Sequence, residues 1–171
     1  MKKSSCQVLS LVFFLLVALG ACKYSKEYQQ VKAGDKFTIM VPSWVKEDQT
    51  LKPGAEFQYA NRFRNFYAIG EAVAKDSSKS VSSMMSANLA ILSKAMVQPV
   101  ISDSSGVTID GLNGARVEIF GKMSGEPIYF SEVVLEGKKG FYHLSIWTRT
   151  AERKLKFKDD IDHILNSFKE L

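Results

Sequence analysis

Thiols and imidazoles are scarce in this chain of 171 residues. Its two cysteines are Cys6 and Cys22, and its two histidines are His143 and His163. Everything after Cys22 therefore lacks a thiol for a disulfide, a thiolate metal site or a cysteine nucleophile. Two isolated histidines also provide no set of three ligands at zinc-site spacing, so we expect no metal and read His163 as a surface histidine near carboxylates.

Recognisable catalytic motifs are missing as well. Ser104-Ser105-Gly106 and Ser124-Gly125 lack the Gly-x-Ser-x-Gly pattern of a hydrolase nucleophile and are typical of loops. There is no glycine-rich phosphate loop, and Asp103 and Asp110 bracket a loop with too few oxygen ligands for an EF-hand. We expect the strand carboxylates to face solvent or form cross-strand ion pairs, and we predict a non-enzymatic protein without a cofactor. These carboxylates are Glu71, Glu118, Glu132 and Glu136.

Excess charge of either sign is also small. The formal net charge is +5, and it falls to +3 without Lys2 and Lys3. That excess is too small to suggest nucleic-acid binding. We expect the densest basic run to be a solvated face, so an unanchored form starting after Cys22 should not bind membranes at physiological salt. Its members are Arg149, Arg153, Lys154, Lys156 and Lys158.

What the N-terminus does have is every part of a secretory signal. Lys2 and Lys3 precede an apolar run at residues 8–19, which is shorter than the roughly 20 residues that span a bilayer. The run ends in Leu19-Gly20-Ala21-Cys22, which resembles the bacterial lipobox. The resemblance implies that residues 1–21 are a signal peptide and that Cys22 becomes the lipid-modified first residue. The alternative is an ordinary secretory signal with a coincidental cysteine.

A lipid on Cys22 would hold the protein at a membrane, facing the periplasm. Lys23 follows the cysteine in place of an aspartate, so the familiar sorting rule for lipoproteins implies the outer membrane. The polar, aperiodic sequence up to residue 34 predicts that residues 22–34 are a lipidated N-terminus and tether, with a reach on the order of 20 Å. Residues 35–171 then form one domain, large enough for a sizeable core.

Strand patterns dominate that domain. Residues 57–63 and 66–75 predict a hairpin that turns at Arg64-Asn65, with Phe63 pointing the same way as Phe57. A polar loop is predicted at residues 102–106, and short connections make the later strands an antiparallel meander. The other predicted strands are residues 36–41, 107–109, 115–123, 128–136 and 141–150.

Two helices complete the prediction. Helical spacing runs from Val81 to Pro99, and we interpret its methionines as core residues rather than as a metal site or adaptable groove. The small face of residues 68–74 should receive this helix. The closing helix is predicted to start near Lys158, because acidic residues then occupy its first turn, where the helix dipole favours them.

This order of elements predicts an α+β domain with a mostly antiparallel sheet covered by helices. Residues 37–44 (Phe-Thr-Ile-Met-Val-Pro-Ser-Trp) resemble the opening signature of PsbP-like domains, with Trp44 one position early. Residues 111–115 (Gly-Leu-Asn-Gly-Ala) resemble the turn before their central strands, and residues 164–168 (Ile-Leu-Asn-Ser-Phe) their closing helix. The resemblance implies an α/β/α sandwich used mostly to bind other proteins, without a shared active site. No family docking residue can be matched here, so the fold alone does not indicate a partner.

The last predicted strand contributes to a candidate binding surface. Alternation puts residues 142, 144 and 146 in the core and His143 and Trp147 on the opposite face. Interfaces are enriched in Trp and Arg, and an earlier strand carries a similar mixture of side chains. The alternative, which the sandwich resemblance favours, is that a helix covers this face. The candidate residues are Arg116, Glu118, His143 and Trp147.

Two function classes remain after these exclusions. The first is a membrane-anchored protein-binding or assembly module with an unidentified protein partner. The second is a periplasmic carrier of a small apolar ligand, held in a space lined by methionine and aromatic side chains between helix and sheet. The sequence does not indicate an oligomeric state.

Overall fold

The computed structural model describes residues 27–149 and 151–171. The predicted signal peptide and Cys22 lie outside these residues. In chain order the described elements are β1 (Tyr28–Ala33), β2 (Phe37–Pro42), β3 (Lys46–Glu47), β4 (Phe57–Asn61), β5 (Phe66–Ala74), α1 (Val81–Ala95), β6 (Val97–Ile109), β7 (Leu112–Met123), β8 (Glu126–Glu136), β9 (Gly140–Arg149), α2 (Ala151–Asn166) and β10 (Lys169–Glu170).

The strands form two antiparallel sheets. The small sheet has the order β1-β2-β10, and the seven-stranded sheet has the order β3-β4-β5-β9-β8-β7-β6. α1 packs on one face of the large sheet against β6, β7 and β8, whereas α2 packs on β8, β9 and β2. The predicted α+β sandwich is therefore confirmed. No helix in the described part of the chain is long and apolar enough to cross a membrane.

The main core lies between the large sheet and the layer made by α2 and the small sheet. Phe37 is fully buried, with its ring centroid 5.9 Å from that of Tyr142 and 5.1 Å from that of Phe168. The predicted core positions Tyr142, Leu144 and Ile146 are confirmed. Gly70 lies under the Phe37 ring, so the small face of β5 receives Phe37 and not α1, contrary to the prediction.

α1 seals the opposite face of the sheet. It begins at a capping box between Ser80 and Ser83, and it ends at Ala95, short of the predicted boundary at Pro99. Met85 on the helix and Met96 just after it are buried, which confirms these methionines as core.

Two polar segments form strands that the sequence did not predict. The predicted tether contains β1, which pairs with β2 along its whole length and buries Ala33. The predicted loop at residues 102–106 lies within β6, the edge strand, which pairs with β7 through two register shifts. Main-chain pairing does not require apolar side chains, and most of β6 is solvent-exposed, so its polar composition is compatible with a strand at a sheet edge.

α2 begins at Ala151, about two turns before the predicted start at Lys158. Tertiary contacts hold this first half. Phe157 is buried against Trp44 and Phe66, with ring centroids 5.3 Å apart in each case. Such burial is worth more than the 0.3–1 kcal/mol typical of a charge near a helix end.

The β4–β5 hairpin also turns earlier than predicted. β4 ends at Asn61, whose side-chain amide donates a hydrogen bond to the carbonyl of Trp44 at 2.7 Å. Asn65 has a positive φ of 49°, as the turn prediction required. Phe63 lies in the turn and is 93% exposed, whereas Phe57 is buried, so the prediction that the two side chains point the same way is wrong.

Candidate binding groove

Three stacked rings cross the large sheet on the side that α1 covers in part. Tyr67, Trp147 and Phe130 are direct cross-strand neighbours on β5, β9 and β8. The Tyr67 and Trp147 centroids are 5.3 Å apart at 11°, and those of Trp147 and Phe130 are 5.5 Å apart at 20°. We call these residues the aromatic ladder. Trp147 and Tyr67 stay half-buried because α1 packs on β6, β7 and β8 and leaves β5 and β9 less covered.

A cavity of about 150 Å³ lies between the aromatic ladder and α1. Its apolar lining comes from Ile69, Ile91, Leu92, Phe130 and Trp147, and we call this space the α1 groove. Ile91, on α1 at this cavity, is 67% exposed and therefore offers apolar surface beside it.

A second cavity, of about 490 Å³, also borders the aromatic ladder. Met123 and Ile128 supply apolar surface, and Arg62, Arg149 and Glu126 supply charge. Trp147 and Phe130 line both cavities, so the same rings carry two concave surfaces.

Polar side chains on one side of the α1 groove form a continuous chain of contacts. Ser145 Oγ donates to Glu132 Oε1 at 2.5 Å, and Glu132 Oε2 lies 2.5 Å from His143 Nε2. His143 Nδ1 lies 3.3 Å from Glu71 Oε2, which in turn accepts from Lys52 Nζ at 2.5 Å. We call these five residues the charge chain. From Lys52 to Glu132 the side chains alternate between cation and carboxylate. Glu132, which is only 1% exposed, therefore faces the imidazole of His143.

This arrangement sets the protonation states. Burial would lower the pKa of His143, but its hydrogen bonds to Glu132 and Glu71 outweigh burial and raise the pKa to about 9. The hydrogen bond from His143, together with Lys52, lowers the pKa of Glu71 to about 2 despite partial burial. At neutral pH the chain therefore contains an imidazolium between two carboxylates.

The charge chain does not have the Ser–His–acid order of a hydrolase triad. Ser145 donates to Glu132 rather than to an imidazole, and both nitrogens of His143 face carboxylates. Within residues 27–149 and 151–171, no group of three or more His, Cys, Asp or Glu residues is placed to hold a metal ion.

The four predicted surface residues do not come together. His143 and Trp147 lie at the α1 groove. Arg116 and Glu118 lie on the opposite face, where Arg116 Nη1 donates to Asp162 of α2 at 2.7 Å and Glu118 accepts from Lys154 at 2.6 Å. The predicted single surface is therefore wrong. Arg116 pairs with Val133, and Val133 pairs with the core residue Leu144, so these three residues lie on the core face of the sheet.

The alternative reading of the predicted face, a covering helix, is confirmed in part. A helix does cover some of it, and its polar groups do pair with one another, as the sandwich resemblance favoured. The expectation of ion-paired strand carboxylates also holds for Glu71, Glu118 and Glu136. Glu132 differs because it is fully buried, which no local sequence signal distinguishes. Ile91 and Tyr67 were missed because each occupies an ordinary position in its element.

The domain is an α+β sandwich with the PsbP-like fold, as the short motifs suggested. It is similar to cyanobacterial PsbP (CyanoP) from Synechocystis sp. PCC 6803, with a TM-score of 0.63 and 14% identity over 90% of this chain and 99% of that one. It is also similar to the Ran-binding protein Mog1p of Saccharomyces cerevisiae, with a TM-score of 0.60 and 10% identity over 85% and 96% of the two chains.

LpqN of Mycobacterium tuberculosis, a protein involved in cell envelope biogenesis, has a TM-score of 0.57 and 12% identity over 85% of this chain and 91% of its own. No family model matches the sequence, and no characterised protein is significantly similar to it in sequence. At these identities the likeness shows the fold, and this fold is compatible with a binding module.

Proposed function

We propose that this protein is a lipid-anchored extracytoplasmic module that binds a protein partner in the α1 groove and performs no catalysis. The lipobox-like Leu19-Gly20-Ala21-Cys22 supports the anchor, and Lys23 supports sorting to the outer membrane. The Ran-binding role of the structurally similar Mog1p supports a protein ligand.

The observation that carries the proposal is the α1 groove itself. Its cavity of about 150 Å³ is smaller than the roughly 300–1,000 Å³ of small-molecule sites but large enough for one partner side chain. In protein interfaces a few residues contribute most of the binding energy. Trp and Tyr are common among them, and they cluster at pockets of this kind. Trp147 forms one wall, and the exposed Ile91 forms the rim.

The charge chain would supply specificity beside this apolar pocket. Lys52 lines the groove with a side chain that is 45% exposed, so its free hydrogen-bonding positions are accessible there, and Glu71 holds it by an ion pair at 2.5 Å. Glu132, behind them, fixes His143 and keeps the pocket wall in place. A partner with an apolar anchor flanked by polar groups fits this arrangement.

Replacing Ile91 tests the site with little effect on the fold. Ile91→Asp places a charge at the rim, and we expect at least a tenfold loss of the partner recovered after crosslinking in intact cells. Ile101→Asp is the matched control, because Ile101 is 53% exposed on the edge strand β6, outside the groove. Equal recovery with both variants would exclude the α1 groove.

Replacing Trp147 tests the groove less directly than replacing Ile91. We expect Trp147→Ala to weaken partner capture, but the ring is half-buried and stacked on both sides, so its removal also affects packing. The thermal stability of the Trp147→Ala variant must therefore be measured together with its capture of the partner. A large loss of stability with capture intact per folded molecule would assign Trp147 to the core alone.

The anchor has its own test. Cys22→Ala should abolish labelling by palmitate and release the protein from the membrane fraction. A Cys22→Ala protein that is still processed, labelled and membrane-bound would refute lipidation at this residue. Fractionation of the wild type would decide between outer and inner membrane.

The second cavity favours one alternative function, a carrier of a small apolar ligand. Its volume of about 490 Å³ lies within the range of ligand sites, and Met123, Ile128 and the aromatic ladder line it. Mass spectrometry of protein purified from its own host separates the two functions. A stoichiometric lipid or metabolite would favour the carrier, whereas its absence favours the protein-binding module.

A further inference from the structure

The link between Cys22 and the folded domain is short. β1 starts at Tyr28, and the main-chain N–H of Ser43 already donates to the carbonyl of Glu27 at 2.9 Å. Four residues lie between Cys22 and Glu27, and the five residue steps from one to the other span at most about 18 Å in any conformation. An anchor at Cys22 would therefore keep the Glu27 end of the domain close to the membrane.

Contacts connect Glu27 to one end of the large sheet. Trp44 follows Ser43, and the Arg64 guanidinium lies 4.7 Å from the centre of the Trp44 ring. Arg153, in the first turn of α2, donates to the carbonyl of Arg64. The tip of the β4–β5 hairpin and the start of α2 consequently lie at the end of the molecule where the link begins.

This end exposes apolar side chains among basic ones. Phe63 is 93% exposed at the hairpin tip, and Leu155 is 76% exposed on α2, the two highest values among large apolar residues of the described chain. Lys154 and Lys158 turn away to Glu118 and Asp162. Arg62 in the hairpin pairs with Asp48. The basic residues that remain at this end are Arg64, Arg149, Arg153 and Lys156, set against exposed Glu126, Glu152 and Asp159.

We propose that this end, the hairpin tip with the start of α2, lies on an anionic phospholipid surface. Phe63 and Leu155 enter the interfacial layer, and the basic side chains contact headgroup phosphates. The inference rests on the lipid anchor of the proposed function, which would bring this end within reach of the bilayer. Its positive charge complements an anionic membrane.

The contact depends on the anchor for its strength. Two apolar side chains and a few cations bind weakly when the protein is free in solution, but a lipid at Cys22 makes the contact intramolecular and raises its effective concentration. The expectation that an unanchored form does not bind membranes at physiological salt is therefore compatible with this orientation.

The chain from Cys22 onward suits a direct test, because it holds every described residue and a single thiol. We would couple Cys22 to a maleimide-headgroup lipid in vesicles of phosphatidylethanolamine and phosphatidylglycerol, and in vesicles of phosphatidylcholine alone. Hydrogen exchange of residues 61–66 and 151–158 should be at least threefold slower on the anionic vesicles. Phe63→Ser should remove this protection, whereas Ile91→Ser, at a similarly exposed site, should not.

Equal exchange on the two vesicle types would overturn the proposal, and so would protection confined to α1. Protection that appears only after a partner protein is added would show that this end receives protein rather than lipid, which also overturns it. Because the coupling is chemical, the result does not depend on lipidation in the cell. Palmitate labelling of Cys22→Ala decides that question separately.

Discussion

Glu132 shows at the scale of a single residue what the buried polar groups of this domain require. Its carboxylate is 1% exposed and accepts from Ser145 and His143. An unpaired buried charge costs several kcal/mol, so Glu132 is stable here only because an imidazolium faces it. His143 in turn bridges to Glu71, and removal of His143 would leave Glu132 as an unpaired buried charge in the sheet.

The pH dependence of stability should report this pairing. The pKa of His143 is raised from 6.5 to about 9 in the folded protein, so its contribution is complete below pH 6.5 and is lost as the pH rises to about 9. The shift corresponds to about 3 kcal/mol. We expect the free energy of unfolding, measured with urea, to fall across this window in the wild type.

His143→Gln is the control, because it removes the titrating group and should flatten this part of the profile. Identical profiles for the two proteins, or an imidazole that titrates near 6.5 by NMR, would contradict the pairing.

Glu71 should affect the stability at acidic pH instead. Its pKa is lowered to about 2, so its contribution is present above pH 4.5 and declines as the pH falls toward 2.

At the scale of elements, the sequence predicted those whose own residues carry the pattern. The alternating strands β7, β8 and β9, with glycine in their turns, and the apolar spacing of α1 were enough for that. β1 and residues 97–106 of β6 were missed because their pairing depends on β2 and β7 rather than on local hydrophobicity. The start of α2 was misplaced because its support comes from tertiary contacts.

Phe157 provides the test of that support. Phe157→Ala removes a buried ring from between Trp44 and Phe66, and we expect a loss of about 3–5 kcal/mol in the free energy of unfolding. Leu155→Ala, two residues earlier on the exposed side of the same helix, should change it by less than about 0.5 kcal/mol. Similar values for both variants would mean that the first half of α2 is not packed as described.

The contact between β2 and β5 gives a second test. A Cβ at Gly70 would lie 2.9 Å from Phe37 Cζ and 3.0 Å from Leu144 Cδ2, so Gly70→Ala should destabilise the protein by about 1–3 kcal/mol. Gly106→Ala is the matched change in a strand, with no atom within 4 Å of the added Cβ, and should be neutral or slightly stabilising. Denaturant midpoints that shift equally would refute the close approach of Phe37.

For the whole molecule, the sequence was sufficient for the fold and insufficient for the site. The opening and closing motifs pointed to the PsbP-like fold, which the structural similarity confirms. The predicted surface failed because register decides which faces of neighbouring strands are shared: Arg116 pairs with Val133 and Val133 with Leu144, and this places Arg116 on the core side. Alternation within one strand does not relate its two faces to those of another strand.

The central claim is that a protein partner occupies the α1 groove. The most direct measurement places a photoreactive amino acid at position 91 of the full-length protein in living cells and compares it with the same substitution at position 101. We predict one dominant crosslinked protein from position 91 that is absent from position 101 and is reduced by Trp147→Ala. Crosslinks of equal yield from both positions, or none from position 91 while position 101 captures a protein, would contradict the account.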